Sequence, residues 1–265
     1  MGTTAPFELE AWLTGLVPLL AAAALTWTVS VAKRNVTIVD TLWPLLFVIA
    51  AVTYALAVPE YGARGSIVLV LVTVWGLRLA VYLGWRSHRQ QEDRRYQEIR
   101  RRNEPNFALK SLYLVFGLQA MLAWFISLPL LGAVASPLAA GGLDWAGVAL
   151  WSIGFAFEAG GDWQLARFKS DPANRGKVMD GGFWRYTRHP NYFGDFCVWW
   201  GFYLIALSGD AWWSLPGPLL MSWLLLRVSG VTLLEKDIAE RRPAYAEYVR
   251  RTNAFFPGPR KPGGT

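Results

Sequence analysis

Four ionisable side chains stand inside long apolar stretches of this sequence: Asp40, Arg78, Glu158 and Arg227. At the centre of a bilayer each costs about 2.5–3.5 kcal/mol even on a forgiving insertion scale, so each is expected to face a partner, water or a ligand. Glu158 and Asp162 are four residues apart and share a helix face, where two carboxylates repel unless cations or ligand hydroxyls lie between them. A ribose or an adenine amino group answers that need. Trp75, Arg78 and Tyr82 also fall on one face, and Asp40 lies at a depth from which Arg78 can be reached. Two readings stay open for Asp40 and Arg78: an ion pair that fixes helix register, or the lining of a cavity.

The densest chemistry lies in residues 181–195, Gly-Gly-Phe-Trp-Arg-Tyr-Thr-Arg-His-Pro-Asn-Tyr-Phe-Gly-Asp. Pro190 suits the first turn of a helix, because its missing N–H would go unpaired there anyway. Asn191 and Asp195 then sit one turn apart at a helix N-terminus, whose dipole and free amides attract anions. With Arg185 and Arg188 just before them, an amide and a carboxylate can read a carboxamide at one end of a ligand while the arginines meet a phosphate at the other.

These residues need elements to hold them. The chain has 265 residues, of which 54% are hydrophobic and 17% charged, with 15 Trp and a net charge of +7. Disorder and a water-soluble globule are both excluded by its apolar runs, which approach the ~20 residues that span hydrocarbon. The pattern predicts an all-α integral membrane protein of about seven transmembrane helices, near 11–32, 36–57, 66–84, 110–135, 143–163, 190–208 and 211–230. It reads as a single membrane domain over 1–265, with residues 11–110 forming the substrate side and 111–257 the cofactor side. Nearly every loop cation falls in 33–35, 85–109, 164–189 and 231–265, whereas the opposite loops hold Arg64 alone, so the N-terminus is expected outside and the C-terminus in the cytoplasm. That asymmetry accounts for the basic charge without nucleic acid. No obligate protein partner is evident. Glu8 and Glu10 at the N-terminus argue against a cleavable signal, so the first helix is read as retained.

Smaller features complete the map. Glu92, Asp93 and Glu98 alternate with arginines in 85–102, as on a solvated helix face. The 164–189 stretch, with Asp171-Pro172, Asn174, Gly176 and spaced cations, is expected to be an ordered polar loop able to approach a phosphate. Trp43, Trp199-Trp200 and Trp212-Trp213 are expected as headgroup anchors, and the segment after 231 as an interfacial amphipathic helix. Two histidines and one cysteine make a metal site improbable, and neither a Gly-x-Gly-x-x-Gly nor a Gly-x-Ser-x-Gly motif is present.

The run Arg185 to Asp195, with Val39-Asp40-Thr41-Leu42-Trp43 and the tail Glu235-Lys236, Tyr245, Tyr248, Arg251 and Phe256-Pro257, resembles the bacterial membrane family related to the steroid 5-alpha-reductases. The resemblance runs from about residue 30 to 257. It implies seven membrane helices in the bacterial inner membrane, NADPH in a cavity open to the cytoplasm, and a steroid or other lipid entering from the membrane. It further implies that Asp162, Lys169 and Lys177 contact the adenosine and phosphate end, that Asn191 and Asp195 meet the nicotinamide, and that Arg227 faces the cofactor. Glu158 stands where steroid reductases have an asparagine. Arg188, His189, Glu235 and Tyr248 complete the implied cofactor set. Asp40 is the nearest match to the acid beside the substrate carbonyl. Where the family has that acid's tyrosine partner, this chain has Trp75, which cannot give up a proton as a phenol can, while Tyr82 matches another family position.

These residues outline a reductase of a C=C bond. Hydride adds to the β-carbon of a conjugated C=C–C=O, and Asp40, held neutral by desolvation, donates to the carbonyl oxygen on which charge develops. Two other classes stay open. The Arg-His-Pro-x-Tyr run is also similar to the isoprenylcysteine carboxyl methyltransferases, which bind S-adenosylmethionine, and Trp75 in place of tyrosine keeps a non-catalytic lipid-binding protein in view.

Overall fold

The computed structural model describes residues 7–88, 90–228 and 243–261, and every regular element among them is helical. Helix α1 runs Leu9–Lys33, α2 Ile38–Ala57 and α3 Ala63–Ser87. Arg34 ends α1 in the left-handed region (φ 49°), returning its N–H to Val31 and Ser30 carbonyls. A short amphipathic helix, α4 (Arg94–Asn103), follows. The next apolar stretch runs as α5 (Phe107–Ser111), a π-helical turn (Leu112–Gly117), α6 (Leu118–Ile126) and α7 (Leu128–Ala135). Beyond it lie α8 (Gly142–Ser170), α9 (Pro190–Ser208), α10 (Pro216–Trp223), a second π-helical turn (Leu224–Val228) and α11 (Pro243–Arg251).

Among the described residues, four helical stretches are long and apolar enough to cross a membrane: α1, α2, α3 and Phe107–Ile126. Their outward faces carry Val17, Leu25, Leu56, Val70 and Val81 in exposed positions, an apolar surface that lipid accepts and water does not. These four stretches correspond to the first four of the seven expected spans. Helices α8 and α9 have 29 and 19 residues, but glycines and acids dilute them.

The expected helix at 110–135 is broken at Ser127. Pro129 has no N–H to continue the ladder and its ring crowds the carbonyl four residues back, so α6 stops and α7 starts afresh. The expected helix at 143–163 instead continues to Ser170, taking Arg167 and Lys169 out of the predicted loop and onto α8. Trp199 is no headgroup anchor: it is fully buried against Phe202. Glu235 and most of the expected amphipathic tail, residues 229–242, lie outside the described residues.

The chain forms two compact units, residues 1–144 with 205–217 and residues 145–204 with 218–265. In the first, Gly76 of α3 lies so close to α2 that a Cβ would stand 2.6 Å from a Val48 methyl and 3.0 Å from the Pro44 carbonyl. At the far end of α3, Arg64 is sealed from solvent. Its Nε donates to Asp144 Oδ1 at 2.7 Å, and its other nitrogens reach Asp144 Oδ2, Ser136, Ser208 and the carbonyls of Leu138 and Ala139.

In the second unit α8 and α9 meet backbone to backbone. Gly147, Gly154 and Gly161 recur every seven residues on α8, and Gly194 and Gly201 do so on α9. A Cβ on Gly154 would stand 2.5 Å from the Gly194 carbonyl, and one on Gly201 would stand 2.8 Å from that of Gly147. Small residues in this pattern let membrane helices approach without intervening side chains. The crossing decides which polar residues of α8 and α9 can face each other.

Candidate functional site

The polar residues singled out in the sequence gather in two clusters, one in each unit. In the first, the Asp40 carboxylate, in the first turn of α2, accepts from two donors on α4. Arg95 Nη2 lies 2.9 Å from Oδ2, and the Tyr96 hydroxyl lies 2.5 Å from Oδ1. Gln119 Nε2 of α6 donates to the same phenol oxygen at 3.3 Å. Tyr96 is buried, whereas Asp40 and Arg95 are partly open. Burial together with the adjacent Asp40 carboxylate holds the Tyr96 phenol above its ordinary range, so it stays protonated and remains a donor. A cleft of about 50 Å³ lies beside Asp40, lined also by Thr37, Leu83 and Arg86.

Helix α4 is held in place by its own first residues. Asp93 caps it, accepting from the Arg95 N–H at 2.9 Å, while its own N–H donates to Thr37 Oγ1. Glu92 accepts the Val36 N–H and a two-pronged contact from Arg100 at 2.8 and 2.9 Å. Positioned in this way, Arg95 and Tyr96 reach across to α2.

Both oxygens of Asp40 act as acceptors here, one from Arg95 Nη2 and one from the Tyr96 hydroxyl. The missed residues are Tyr96 and Gln119. A signal for Tyr96 was present, since Tyr96 and Ile99 are the only large apolar side chains from 86 to 104 and, three apart, turn one face of α4 inward. Trp75 is fully buried on α3, its ring 5.8 Å from that of Phe47. Tyr82 is half-buried, with the Arg86 guanidinium 5.6 Å from its ring centre.

In the second unit, Glu158 and Asp162 of α8 are 3% and 4% exposed. The Asn191 Nδ2 of α9 approaches Asp162 Oδ1 at 3.4 Å, so the structure brings those two predicted residues together. Asp195 follows one turn along α9, half-buried. His189 is buried and stacks on Tyr192. Arg188 is also buried. Its Nη1 donates to the Val249 and Thr252 carbonyls at 3.1 and 2.7 Å, capping the last turn of α11 with a cation where the helix dipole is negative. Tyr248 is buried and its hydroxyl donates to the Trp184 carbonyl at 2.6 Å. Arg188 and Tyr248 therefore hold the tail to the 184–188 segment.

The remaining predicted residues are peripheral. Lys169 and Lys177 are exposed, one in the last turn of α8 and one in the following loop. Arg227, expected to face the interior, is exposed on the π-helical turn. A wider turn shifts every following side chain around the axis, which hydropathy cannot register.

Residues 26–252 match the model of a family described as a protein of unknown function, DUF1295. An uncharacterized protein of Schizosaccharomyces pombe is 26% identical over 280 aligned positions, covering 95% of this chain and 81% of that one. No solved structure matches.

Proposed function

The chain belongs to the DUF1295 family, and we propose that it is a membrane-embedded, NADPH-dependent reductase of a C=C bond in a steroid-like or other lipid substrate. The finer topology goes with that reading: seven membrane helices, N-terminus outside, C-terminus cytoplasmic, in a bacterial inner membrane with the site open to the cytoplasm. The observation that carries it is the pair of buried carboxylates, Glu158 and Asp162, one turn apart on a helix among apolar neighbours, with the Asn191 amide at Asp162. The ribose hydroxyls and adenine amine of a dinucleotide are groups that carboxylates and an amide placed together can bind. The kinship with steroid reductases, read from the Arg185–Asp195 run, supports the same cofactor.

NADPH, when bound, supplies hydride to the β-carbon of a conjugated carbonyl. Charge then develops on the carbonyl oxygen, and a protonated phenol is the donor suited to it. Tyr96 fits this role: it keeps its proton at neutral pH, and that proton, given to Asp40 in this structure, turns to the substrate oxygen while Gln119 holds the phenol oxygen. Arg95 keeps Asp40 oriented. Trp75 serves as an apolar wall for a flat substrate.

The test is ligand-dependent melting of the detergent-purified protein. NADPH at about 100 times its Kd should add roughly 2.7 kcal/mol of stability, and neither S-adenosylmethionine nor S-adenosylhomocysteine should add any. Asp162→Asn and Asn191→Ala should each remove most of the NADPH effect. Stabilisation by S-adenosylmethionine alone would overturn the reductase in favour of a methyltransferase, and stabilisation by neither would favour a lipid-binding role.

A further inference from the structure

A second polar cleft, of about 190 Å³, lies within the second unit and is lined by Asp180, Glu247, Tyr248, Arg251, Thr252 and Arg260. The tail builds it by folding back on the rest of the unit. The Arg188 N–H donates to the Asn253 carbonyl, Gly258 N–H to that of Tyr186 and Lys261 N–H to that of Arg251, each at 2.9–3.1 Å. Arg260 Nη2 reaches both the Asp180 carbonyl and its carboxylate, at 2.8 and 2.7 Å.

The lining has more donors than the protein uses. The Nε of Arg251, the Nε of Arg260 and the hydroxyl of Thr252 are buried with no hydrogen-bond partner, and Thr252 is only 2% exposed. A buried donor left unmade is costly, so three on the lining of one cleft call for a ligand rich in acceptors. Its acids stand at the rim: the Asp180 and Glu247 side chains are 58% and 59% exposed. Their ion pairs with Arg260 and Arg251 are of the surface kind, weak and readily exchanged for a stronger anion.

Three unmet donors and two arginines whose partner acids lie at the exposed rim suit a group with three terminal oxygens. We infer that this cleft binds a phosphate monoester carried on a ribose, and so makes the protein choose NADPH over NADH, which differ by that group alone. This rests on the dinucleotide reading above. A lipid phosphomonoester offers the same chemistry, and the test separates the two sources.

The intact protein in detergent is titrated with NADPH, NADH and adenosine 2′-monophosphate, and in nanodiscs with and without phosphatidic acid. Wild type should prefer NADPH, and 2′-monophosphate should compete where adenosine does not. Arg260→Gln and Arg251→Gln should each weaken NADPH about 10- to 100-fold and leave NADH unchanged. Thr252→Val, which removes an unpaired hydroxyl at nearly constant shape, should melt no lower than wild type yet bind NADPH ~10-fold more weakly. If wild type binds neither dinucleotide but binds phosphatidic acid in an Arg260-dependent way, the phosphomonoester site stands and the reductase falls. If Arg260→Gln and Thr252→Val change the affinity for none of NADPH, 2′-monophosphate and phosphatidic acid, the cleft is not a phosphate site, whichever dinucleotide binds.

Discussion

Two aspartates of the first unit each hold an arginine, and the two pairs are built differently. Asp144 and Arg64 are both 0% exposed, and the remaining donors and acceptors around them are met by Ser136, Ser208, the Gly141 N–H and two carbonyls. Asp40 and Arg95 are 18% and 36% exposed, beside a cleft, and the third member is a phenol. About 28 Å of α3 separates Arg64 from Leu83, which lines that cleft, so the pairs sit toward opposite ends of one helix. A sealed, fully satisfied pair locks several elements together and leaves nothing free to react. A half-open pair with a titratable hydroxyl adds little to stability and keeps a donor where a ligand can arrive.

The comparison is broken most severely at the sealed pair. Asp144→Asn leaves the Arg64 charge buried without its counter-ion, a change that costs about 3–5 kcal/mol. The detergent-solubilised variant should melt well below wild type or fail to run as a single species by size exclusion. Arg64→Leu together with Asp144→Leu should recover part of that loss, because a buried ion pair replaced by apolar side chains is often nearly neutral. A single variant that melts with wild type would place this pair with the other.

At the half-open pair the order of effects reverses. Asp40→Asn should change stability by less than about 1 kcal/mol, since a partly exposed pair is screened by water. Turnover of an accepted lipid enone, read as NADPH consumption, should fall about 100-fold, the usual scale for a positioned acid. Tyr96→Phe should show the same loss with its ring still buried, whereas Tyr82→Phe should retain most activity. If Tyr82→Phe is the one that fails, the donor lies on α3 and the α4 phenol only supports the fold.

The sequence displayed some of this and hid the rest. The start of α9 was legible at Pro190 because proline fixes a first turn, and α1 to α3 followed from unbroken apolar runs. The break at Ser127 was hidden by those same runs: residues 110–135 are apolar on both sides of Pro129, and hydropathy does not see a missing N–H. Residues 164–170 read as loop because polarity rose, yet the helix continues with Arg167 and Lys169 on its face. In the candidate site, Asp40, Glu158, Asp162 and Asn191 were visible as charges or amides where apolar residues were expected. Tyr96 was not, since its partner lies 56 positions away and only folding joins them. Arg64 was taken as a stray outer cation, because topology rules count charges and do not ask what each one touches.

The smallest effect concerns the anchor of α4, on which the half-open pair depends. Burial raises the Glu92 carboxyl, but the hydrogen bonds from Arg100 and the Val36 N–H, with the Arg100 charge, outweigh it and leave its pKa below the ordinary 4.5. A carboxyl depressed on folding adds stability that is complete above its unfolded pKa and disappears as pH falls through the folded one. Wild type should therefore outmelt Glu92→Gln by a constant margin, worth about 1 kcal/mol, at pH above 4.5. The two curves should converge as the pH is lowered further. A margin that persists in acid would mean that Glu92 holds α4 through packing and not through its charge, and α4 would then position Tyr96 independently of pH.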